Sequence, residues 1–562
     1  MGKHLVVIYS IFFLSLFIGS NSSKYTESTE SQLAETFELF IILNEGVDLK
    51  NLNKSQVEKL LDCSSCTILY TYKELGMLLI APTPGAELSQ LHRNANILNT
   101  FPNIKAQQTS STNTSMDKYS PELHPHDPRK DKPLKTTSNP SGWAREMVNA
   151  PTSPTAPQGK NIKILIIDSG IDKNSEAFKH SEIIGKDFVE DENSKNAPYE
   201  YFDHDGHGTQ VAGIIAGQSS YIKGIAPKVK LYIARACIKE DCSLSSVTYA
   251  INWGLENNVE IINMSLGWDL PTRSGDIVYK RLYNKGVTVV AAAGNDAEST
   301  FYQNGELSYP ANYKETIAVG SVASDFQPSA FSQNGELLTL LAPGEQILSA
   351  APKGTGRVSH LEIKVGNDIT QTPNLRMEGS ARNHTPVDAA IAWVNDIHNI
   401  TENLSGKIAL IARGTFHFKE MAEVVSNHGA SALIVYDNLN DNQITLGRLN
   451  YEKPYDVQIP VIMISRQSGE RILASITNNQ EAYAQLVTKT VNYELEDGTS
   501  FSTPFVTGAI ALIKSIDHTV TPSEIKNILT STASKISVDS NFSGAGVLNI
   551  KAAIEQTKRL LN

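Results

Sequence analysis

The sequence predicts an α/β fold in which a parallel β-sheet carries helices on both faces, with a small α+β domain before it and a further module inserted into it. Continuous aliphatic runs such as KILIID and VTVVAAA end at polar residues or glycine, which is typical of parallel strands buried on both faces. Segments rich in alanine and glycine, such as TQVAGIIAG and FVTGAIALI, are apolar enough for buried helices. The 562 residues exceed one domain of about 100 to 200 residues, so several domains are expected.

The first residues have the order of a secretory signal peptide. Lys3 and His4 precede an apolar run from Leu5 to Ile18, and small residues follow it. This run is shorter than the about 20 residues that a membrane-spanning helix needs. We therefore expect residues 1–22 to be removed, which gives a secreted, extracellular protein without a stable membrane span. Retention as a signal anchor is the competing interpretation.

Residues 36–107 show the pattern βαββαβ, which is the ferredoxin-like order. FELFIIL, TILYTY and GMLLIA are predicted strands, KSQVEKLL and ELSQLHRN are predicted helices, and residues 101–104 form an extended end. A generic small α+β module would show the same pattern. Residues 108–142 are polar and rich in proline, so they bury too little surface to order themselves and are predicted to be a linker.

Three polar residues stand at junctions of the kind where catalytic groups of parallel sheets gather. Asp168 ends the run NIKILIID, His207 lies in HDGHGTQVAGIIAG, and Ser500 lies in GTSFSTP. For Ser500 the sequence predicts a Gly-rich turn that feeds directly into a helix, with Pro504 in the first turn and the positive end of the helix dipole at the serine. Taken singly, each residue has an ordinary alternative, because Asp168 suits a turn and the other two suit helix starts.

Taken together, DSG, HGT and GTSxSxP in this chain order resemble the subtilisin-type serine proteases of the subtilase family. The resemblance implies a subtilisin-like parallel sheet with Ser500 as nucleophile, His207 as general base and Asp168 as the group that orients it. Asn295, in VVAAAGND, stands where the family keeps the asparagine of its oxyanion hole. Asp205 and its neighbour His204 have no catalytic role in this interpretation.

The same resemblance assigns substrate contacts. The edge segment that pairs with a substrate strand is matched by Ser265, Leu266 and Gly267, so recognition is expected by β-augmentation. Ala292, within residues 291–293, would line a wall of the pocket for the residue before the cleaved bond, and Ser308 would lie near its floor. This small, neutral lining predicts a preference for a sizeable uncharged or apolar side chain. Trp268 replaces a small residue of the family and either restricts a neighbouring subsite or packs internally.

By resemblance, residues 36–107 are a propeptide that acts as folding chaperone and intramolecular inhibitor. The protein would then be a self-processing zymogen, cut near or within residues 108–142. The catalytic domain would consist of residues 143–351 and 489–562, and it would begin with a short helix in WAREMVNA.

Residues 352–488 separate the two parts of the predicted catalytic domain. GKIALIARGTFHFKEMAEVVSNHGASALIVYDN has the pattern strand, turn, amphipathic helix, strand, and IPVIMIS and SGERILASI follow as a strand and a helix. The set resembles a protease-associated domain, which implies contact with substrates or partners, while a spacer or lid without recognition is the alternative. Phe416 stands where this domain commonly has a cysteine, so no disulfide is expected there.

The four cysteines form two close pairs, Cys63 with Cys66 and Cys237 with Cys242. Bridges within each pair are expected in an oxidising compartment. Four cysteines allow three pairings, and free thiols are a further alternative. Bridges across the pairs would tether the propeptide to the enzyme, so pairing within each pair suits maturation better.

We expect no metal site and no cofactor. Ala177 stands where many family members carry a calcium-binding aspartate, and the segment after the His207 helix is short for the usual calcium loop. The net charge of −11 provides no basic field for nucleic acid. The resemblance implies protein or peptide substrates, and we expect a monomer. Two other classes remain: a catalytically inactive subtilase-fold binding protein, and a metal-dependent hydrolase that uses the acidic and histidine side chains at residues 203–207.

Overall fold

The computed structural model describes residues 38–44, 46–63, 66–82, 91, 94–102, 105–108, 142–189, 197–238, 241–272, 275–297, 305–377, 380–381, 386–414, 416–438, 444, 449, 458–478 and 480–561. The predicted signal peptide and nearly all of the predicted linker lie outside these residues. Within these ranges, no helix has both the length and the apolar character needed to cross a membrane. The chain divides into two compact units, with the boundary between Asn103 and Ile104.

The N-terminal unit is a four-stranded antiparallel sheet with one described α-helix. Its elements are β1 (Leu39–Leu43), α1 (Lys54–Leu61), β2 (Cys66–Tyr72), β3 (Met77–Pro82) and β4 (Ile97–Pro102). The strand order β2-β3-β1-β4 is that of the ferredoxin-like arrangement, as predicted. Ile41 and Leu43 pack with Leu78 and Ile80 against α1 residues to form its core. The second predicted helix, ELSQLHRN, lies mostly outside the described residues.

The larger unit begins with twelve strands. They are β5 (Lys105–Gln108), β6 (Lys163–Asp168), β7 (Glu182–Asp187), β8 (Lys230–Arg235), β9 (Cys237–Ile238), β10 (Asp241–Ser243), β11 (Ile261–Met264), β12 (Leu266–Gly267), β13 (Thr288–Ala292), β14 (Ile317–Val322), β15 (Leu338–Pro343) and β16 (Ile347–Ala350). Seven of them form a parallel sheet in the order β15-β14-β13-β11-β6-β8-β7. The predicted α/β fold with a parallel sheet is confirmed.

The strand order of this sheet reverses between β6 and β11. From β6 the chain builds β7 and β8 on one side, and it then builds β11, β13, β14 and β15 on the other. Ligands of such sheets bind at the carboxyl ends of the strands where the order reverses. Asp168 is the last residue of β6, and Ser265 follows β11 directly, so both residues lie at this position.

Helices pack against the parallel sheet, and two helices pack against the parallel strands of the inserted sheet. The helices after α1 are α2 (Trp143–Met147), α3 (His207–Ala216), α4 (Leu244–Glu256), α5 (Gly275–Asn284), α6 (Phe418–Asn427), α7 (Arg466–Thr477), α8 (Thr499–Ile516), α9 (Pro522–Thr532), α10 (Ser540–Ser543) and α11 (Ile550–Leu561). Helix α8 is buried from Thr499 to Lys514. Its small residues permit close packing: at Gly508 a Cβ atom would collide with Ile225. The main core therefore fixes the start of α8.

The remaining strands build a second sheet that interrupts the first domain. They are β17 (Gly356–Val365), β18 (Asp368–Thr372), β19 (Leu375–Arg376), β20 (Val387–Trp393), β21 (Ile408–Ala412), β22 (Ala432–Tyr436), β23 (Val461–Ile464), β24 (Ala482–Val491) and β25 (Tyr493–Glu496). Eight of these strands follow the order β18-β17-β24-β20-β21-β22-β23-β19. Strands β20 to β23 are parallel to one another, whereas β17, β18 and β24 pair antiparallel.

A short antiparallel ribbon of β16 and β25 connects the two sheets. Ala350 is paired with Tyr493, and the amide of Ala351 donates to the carbonyl of Asn492 at 2.9 Å. Glu494 of this ribbon forms an ion pair of 3.1 Å with Arg376 of the inserted sheet. Strand β25 ends only a few residues before α8, so the inserted module is adjacent in sequence to the helix that carries Ser500.

Candidate active site

The Asp168 and His207 side chains are in direct contact. Nδ1 of His207 lies 2.8 Å from Oδ1 of Asp168, and both side chains are buried. A carboxylate only accepts hydrogen bonds, so Nδ1 carries the proton and Nε2 keeps its lone pair. Among the described residues, Nε2 has no hydrogen-bond partner. The imidazole is therefore held in the tautomer that a general base requires.

The close approach of α3 to the end of β6 depends on glycine. A Cβ atom on Gly208 would overlap the carbonyl oxygen of Gly170 and would lie 3.2 Å from Oδ1 of Asp168. With no side chain at Gly208, its amide can donate a hydrogen bond to Oγ of Ser169 at 3.0 Å. The glycine in HGT thus allows His207 and Asp168 to meet.

Asp203 organises the segment that leads into His207, a role that the sequence did not reveal. Its Oδ1 accepts from Oγ of Ser169 at 2.9 Å and from the amides of Asp205 and Gly206. Its Oδ2 accepts from the amide and hydroxyl of Thr209 at 2.8 and 2.6 Å. These five donors use the carboxylate oxygens that the metal-hydrolase alternative would need. Among the described residues, no group of three or more His, Cys, Asp and Glu side chains is arranged to hold a metal ion.

The electrostatic surroundings of His207 raise its pKa. Burial lowers the pKa of the imidazole, but the Asp168 carboxylate raises it through its charge and its hydrogen bond, and the charges of Asp205 and Asp203 raise it further. The net pKa lies above the ordinary value of histidine. The imidazolium that forms during proton transfer is therefore stabilised where it forms.

Ser500 is the second residue of α8, and its hydroxyl donates to the carbonyl of Ser265 at 3.0 Å. The ring of Phe501, the next residue, lies 5.4 Å from the His207 ring, measured between centroids. The start of α8 is thus packed against the imidazole.

The predicted position of Pro504 in the first turn is wrong. The helix begins at Thr499, so Pro504 is its sixth residue and lies inside it. Proline lacks the amide that would donate to the carbonyl four residues earlier, which belongs to Ser500. That carbonyl accepts instead from Oγ of Ser265 at 2.8 Å. Ser265 and Ser500 are therefore joined by two hydrogen bonds in opposite directions.

Asn295 is oriented by Thr499, the residue before Ser500. Its Oδ1 accepts from the amide and from the hydroxyl of Thr499, both at 2.9 Å. The hydroxyl of Thr499 also accepts from the amide of Gly294 at 3.2 Å. Since the oxygen of the Asn295 amide faces Thr499, its NH₂ group faces the other way and can act as a donor.

The predicted substrate-pocket residues Ala292 and Ser308 are buried. Ala292 belongs to β13, and the amide of Ser308 donates to the carbonyl of Ala293 at 2.8 Å. Oγ of Ser308 donates to Oε1 of Gln333 at 3.0 Å. A Cβ atom on Gly294 would overlap this same oxygen. Gln333 is a neighbour of Ser308 that sequence reasoning missed, and no local pattern around it could have shown its position.

A four-stranded sheet with the order β12-β5-β10-β9 lies beside Ser265. Gln108 of β5 is paired with Leu266, and Gln107 with Gly267, in an antiparallel register. On its other side, β5 is paired with β10. The residue after this edge, Trp268, exchanges two backbone hydrogen bonds with Tyr309 and has a buried side chain, so it packs internally.

Disulfide bonds join Cys63 to Cys66 and Cys237 to Cys242. The second bond connects β9 and β10, in which the two cysteines are paired directly. It therefore lies in the same small sheet as the strand β5.

Comparison with known proteins agrees with this geometry. The profile described as the subtilase family matches residues 159–380 and 467–549, and the PA domain profile matches residues 377–472. The subtilase matches cover more than half of the chain.

Curated relatives align over part of the chain. The major intracellular serine protease of Bacillus subtilis is 37% identical over 169 residues, which are 29% of this chain and 49% of the relative. The minor extracellular protease Epr of the same organism is 39% identical over 141 residues, which are 25% of this chain and 20% of the relative. The chain thus spans half or less of the length of these relatives.

Among solved structures, the psychrophilic subtilisin-like protease Apa1 of an Antarctic Pseudoalteromonas superposes with a TM-score of 0.56 at 25% identity. The superposition covers 74% of this chain and 98% of Apa1. On the family match and the shared fold, this chain belongs to the subtilase family and carries an inserted PA domain.

Proposed function

We propose that this subtilase is a secreted serine endopeptidase that is made as a self-processing zymogen. The contact of 2.8 Å between Asp168 and His207 carries the proposal, because it leaves Nε2 available beside the helix start that bears Ser500. In this mechanism Ser500 attacks the peptide carbonyl, while His207 takes its proton and returns it to the leaving amine. Asp168 keeps the imidazole in the required tautomer and stabilises the imidazolium.

The oxyanion of the tetrahedral intermediate would be bound by two donors. One is Nδ2 of Asn295, whose orientation follows from the two bonds that Thr499 donates to Oδ1. The other is the backbone amide of Ser500, which lies in the first turn of α8. Donors that meet negative charge only in the transition state lower the barrier to reaction.

The strand β5 supports the zymogen proposal. Lys105–Gln108 occupies a slot between β10 and β12, where an extended peptide substrate would pair by β-augmentation. The strand runs towards Ser265, whose carbonyl accepts from the Ser500 hydroxyl. Since a strand advances about 3.3 Å per residue, the bond cleaved in maturation is expected soon after Gln108. The segment before that bond would inhibit the enzyme as long as it stays in the slot.

Secretion is supported by the N-terminal sequence pattern and by the disulfides. The Lys3-led apolar run has the order of a signal peptide. Bonds such as Cys237–Cys242 persist in oxidising compartments. A neutral pocket lining at Ala292 and Ser308 supports cleavage after uncharged side chains, and a peptide library that returned mainly Lys or Arg before the cleaved bond would contradict it.

The direct test is Ser500→Ala, with Ser502→Ala as the matched control in the same helix. The hydroxyl of Ser502 is buried and has no hydrogen-bond partner among the described residues, so its removal should be tolerated. The parent and Ser502→Ala should react with a fluorophosphonate probe and yield a mature chain that begins soon after residue 108. Ser500→Ala should remain an unlabelled precursor.

Three outcomes would contradict the proposal. Labelling of Ser500→Ala would place the nucleophile elsewhere, and loss of activity on chelation alone would favour a metal-dependent hydrolase. Absence of labelling in folded, processed parent protein would favour an inactive binding protein.

A further inference from the structure

Strand β10 (Asp241–Ser243) forms the outer wall of the slot that β5 occupies, and it has few backbone pairs of its own. Strand β10 has three residues, and among the described strands it pairs, apart from β5, with β9, which has two. When β5 leaves the slot, the ladder of β10 with the described strands is reduced to this two-residue pairing until a substrate arrives. Such a short ribbon is too small to be stable by its hydrogen bonds alone.

The carboxyl end of β10 is anchored by helix α4, which follows it directly. Ser243 is the N-cap of this helix, and its hydroxyl accepts from the amide of Ser246 at 3.0 Å. Oγ of Ser246 donates in turn to the carbonyl of Phe188 at 3.0 Å. This end of the wall is therefore attached to the body of the domain.

The middle residue of β10 is attached through the Cys237–Cys242 disulfide. Cys242 is paired with Ala106 of β5 on one side and with Cys237 on the other. Cys237 follows Ala236, whose amide donates to the carbonyl of Asp168 at 2.8 Å. The covalent bond thus connects the wall of the slot to the strand end that carries Asp168.

We propose that the Cys237–Cys242 disulfide is a positioning element for extended substrates, because it holds the slot wall in register with the catalytic residues. The inference rests on the proposed endopeptidase function and deepens it. The bond closes a loop of small size, with a sequence separation of 5, and constraints on short loops stabilise a fold less than constraints on long ones. Its main effect is expected on substrates long enough to reach β10.

The experiment compares two double variants, Cys237→Ser/Cys242→Ser and Cys63→Ser/Cys66→Ser. The second pair is the control: its disulfide lies in the N-terminal unit, which the proposed maturation removes, so its mature enzyme has the parental sequence and shows whether loss of a disulfide during precursor folding alters the assay. Each mature enzyme is titrated with a fluorophosphonate probe and assayed on a tetrapeptide anilide and on the ester of a single acetylated amino acid. The tetrapeptide can fill the slot as the four residues of β5 do, whereas the ester cannot reach β10.

The readout is the kcat/KM for the tetrapeptide divided by the kcat/KM for the ester. For Cys237→Ser/Cys242→Ser this ratio should fall about tenfold, which corresponds to the loss of one backbone hydrogen bond. The fall should come mainly from a higher KM for the tetrapeptide. The control should keep the parental ratio. An unchanged ratio in the first variant, or an equal fall in both variants, would overturn the inference.

Reduction of the mature parent covers the case in which the variant does not fold. Tris(2-carboxyethyl)phosphine supplies two electrons to the disulfide and becomes the phosphine oxide, while water provides the oxygen and the two protons of the thiols. The same fall in the ratio, reversed on reoxidation, supports the inference, and an unchanged ratio after complete reduction overturns it. If the parent neither hydrolyses the ester nor reacts with the probe, the proposed function itself fails.

Discussion

The two large sheets of this chain are built on different plans. Every pair in the seven-stranded sheet is parallel, and strands such as Ile261–Met264 are buried at every residue. In the first sheet, polar groups such as Asp168 lie at the carboxyl ends of buried strands. In the second sheet, which is the inserted one, the antiparallel strand Ala482–Val491 exposes alternate side chains to solvent over most of its length. Small changes should therefore abolish activity in the first sheet and stay local in the second.

A pair of glycine substitutions gives the largest expected contrast. A methyl group at Gly208 would collide with the Gly170 carbonyl beside Asp168, and one at Gly469 would collide with the side chain of Tyr436 in the inserted sheet. Gly208→Ala should lower kcat/KM for a small ester by about a hundredfold or more, because a misplaced catalytic group has that order of effect. Gly469→Ala should lower the stability of the inserted module, and it should keep the parental activity on the ester. Equal losses in both variants would show that the two sheets do not differ in this way.

Replacement of the inserted module is expected to have a smaller effect on small substrates. The backbone bond between Ala351 and Asn492 allows residues 352–491 to be replaced by an Asn-Gly turn. The shortened enzyme loses the bond of 2.7 Å from the amide of Lys353 to Asp172, so kcat/KM for a small peptide should fall by no more than about fivefold. Cleavage of folded proteins should change in its sites or rate. If the protein cleavage pattern is the same as that of the parent, the module is a spacer.

The smallest expected effect is a shift in pH dependence. The acid limb of kcat/KM reports the pKa of His207 in the free enzyme, because the neutral imidazole is the base. Asp205 raises this pKa, so Asp205→Asn should move the limb to lower pH, and the shift should be small because the charge is exposed and screened. Asp388→Asn, an exposed change in the inserted sheet, should leave the limb in place. A shift to higher pH, or an equal shift in both variants, would contradict this account of the electrostatics.

The sequence predicted the features of the site that depend on local pattern. The strand ending at Asp168 and the helix beginning at His207 lie where their aliphatic and small-residue runs placed them. The α/β fold class and the membership of the subtilase family are likewise confirmed. These features were accessible because burial and backbone geometry limit which residues can occupy such positions.

Features that depend on distant partners could not be predicted. Pro504 is tolerated inside α8 because the Ser500 carbonyl finds a donor in Ser265, which is far away in sequence. The same applies to Gln333 beside Ser308, and to Asp203, which the sequence presented only as part of an acidic cluster. The hydrogen bonds of these residues exist only once the sheet has been assembled, so no window of sequence contains them.

The attachment of the inserted module directly before α8 has a consequence for the time at which activity can arise. Asp168 and His207 leave the ribosome early, whereas Ser500 emerges only after the whole inserted module. At a synthesis rate of about 5–20 residues per second, the roughly 290 residues between His207 and Ser500 correspond to a delay of about 15 to 60 s. The proposed propeptide, residues 36–107, is complete before this interval begins. On the proposed function, the nascent chain would therefore carry its inhibitor well before its nucleophile, and the order of its segments would delay activity during synthesis.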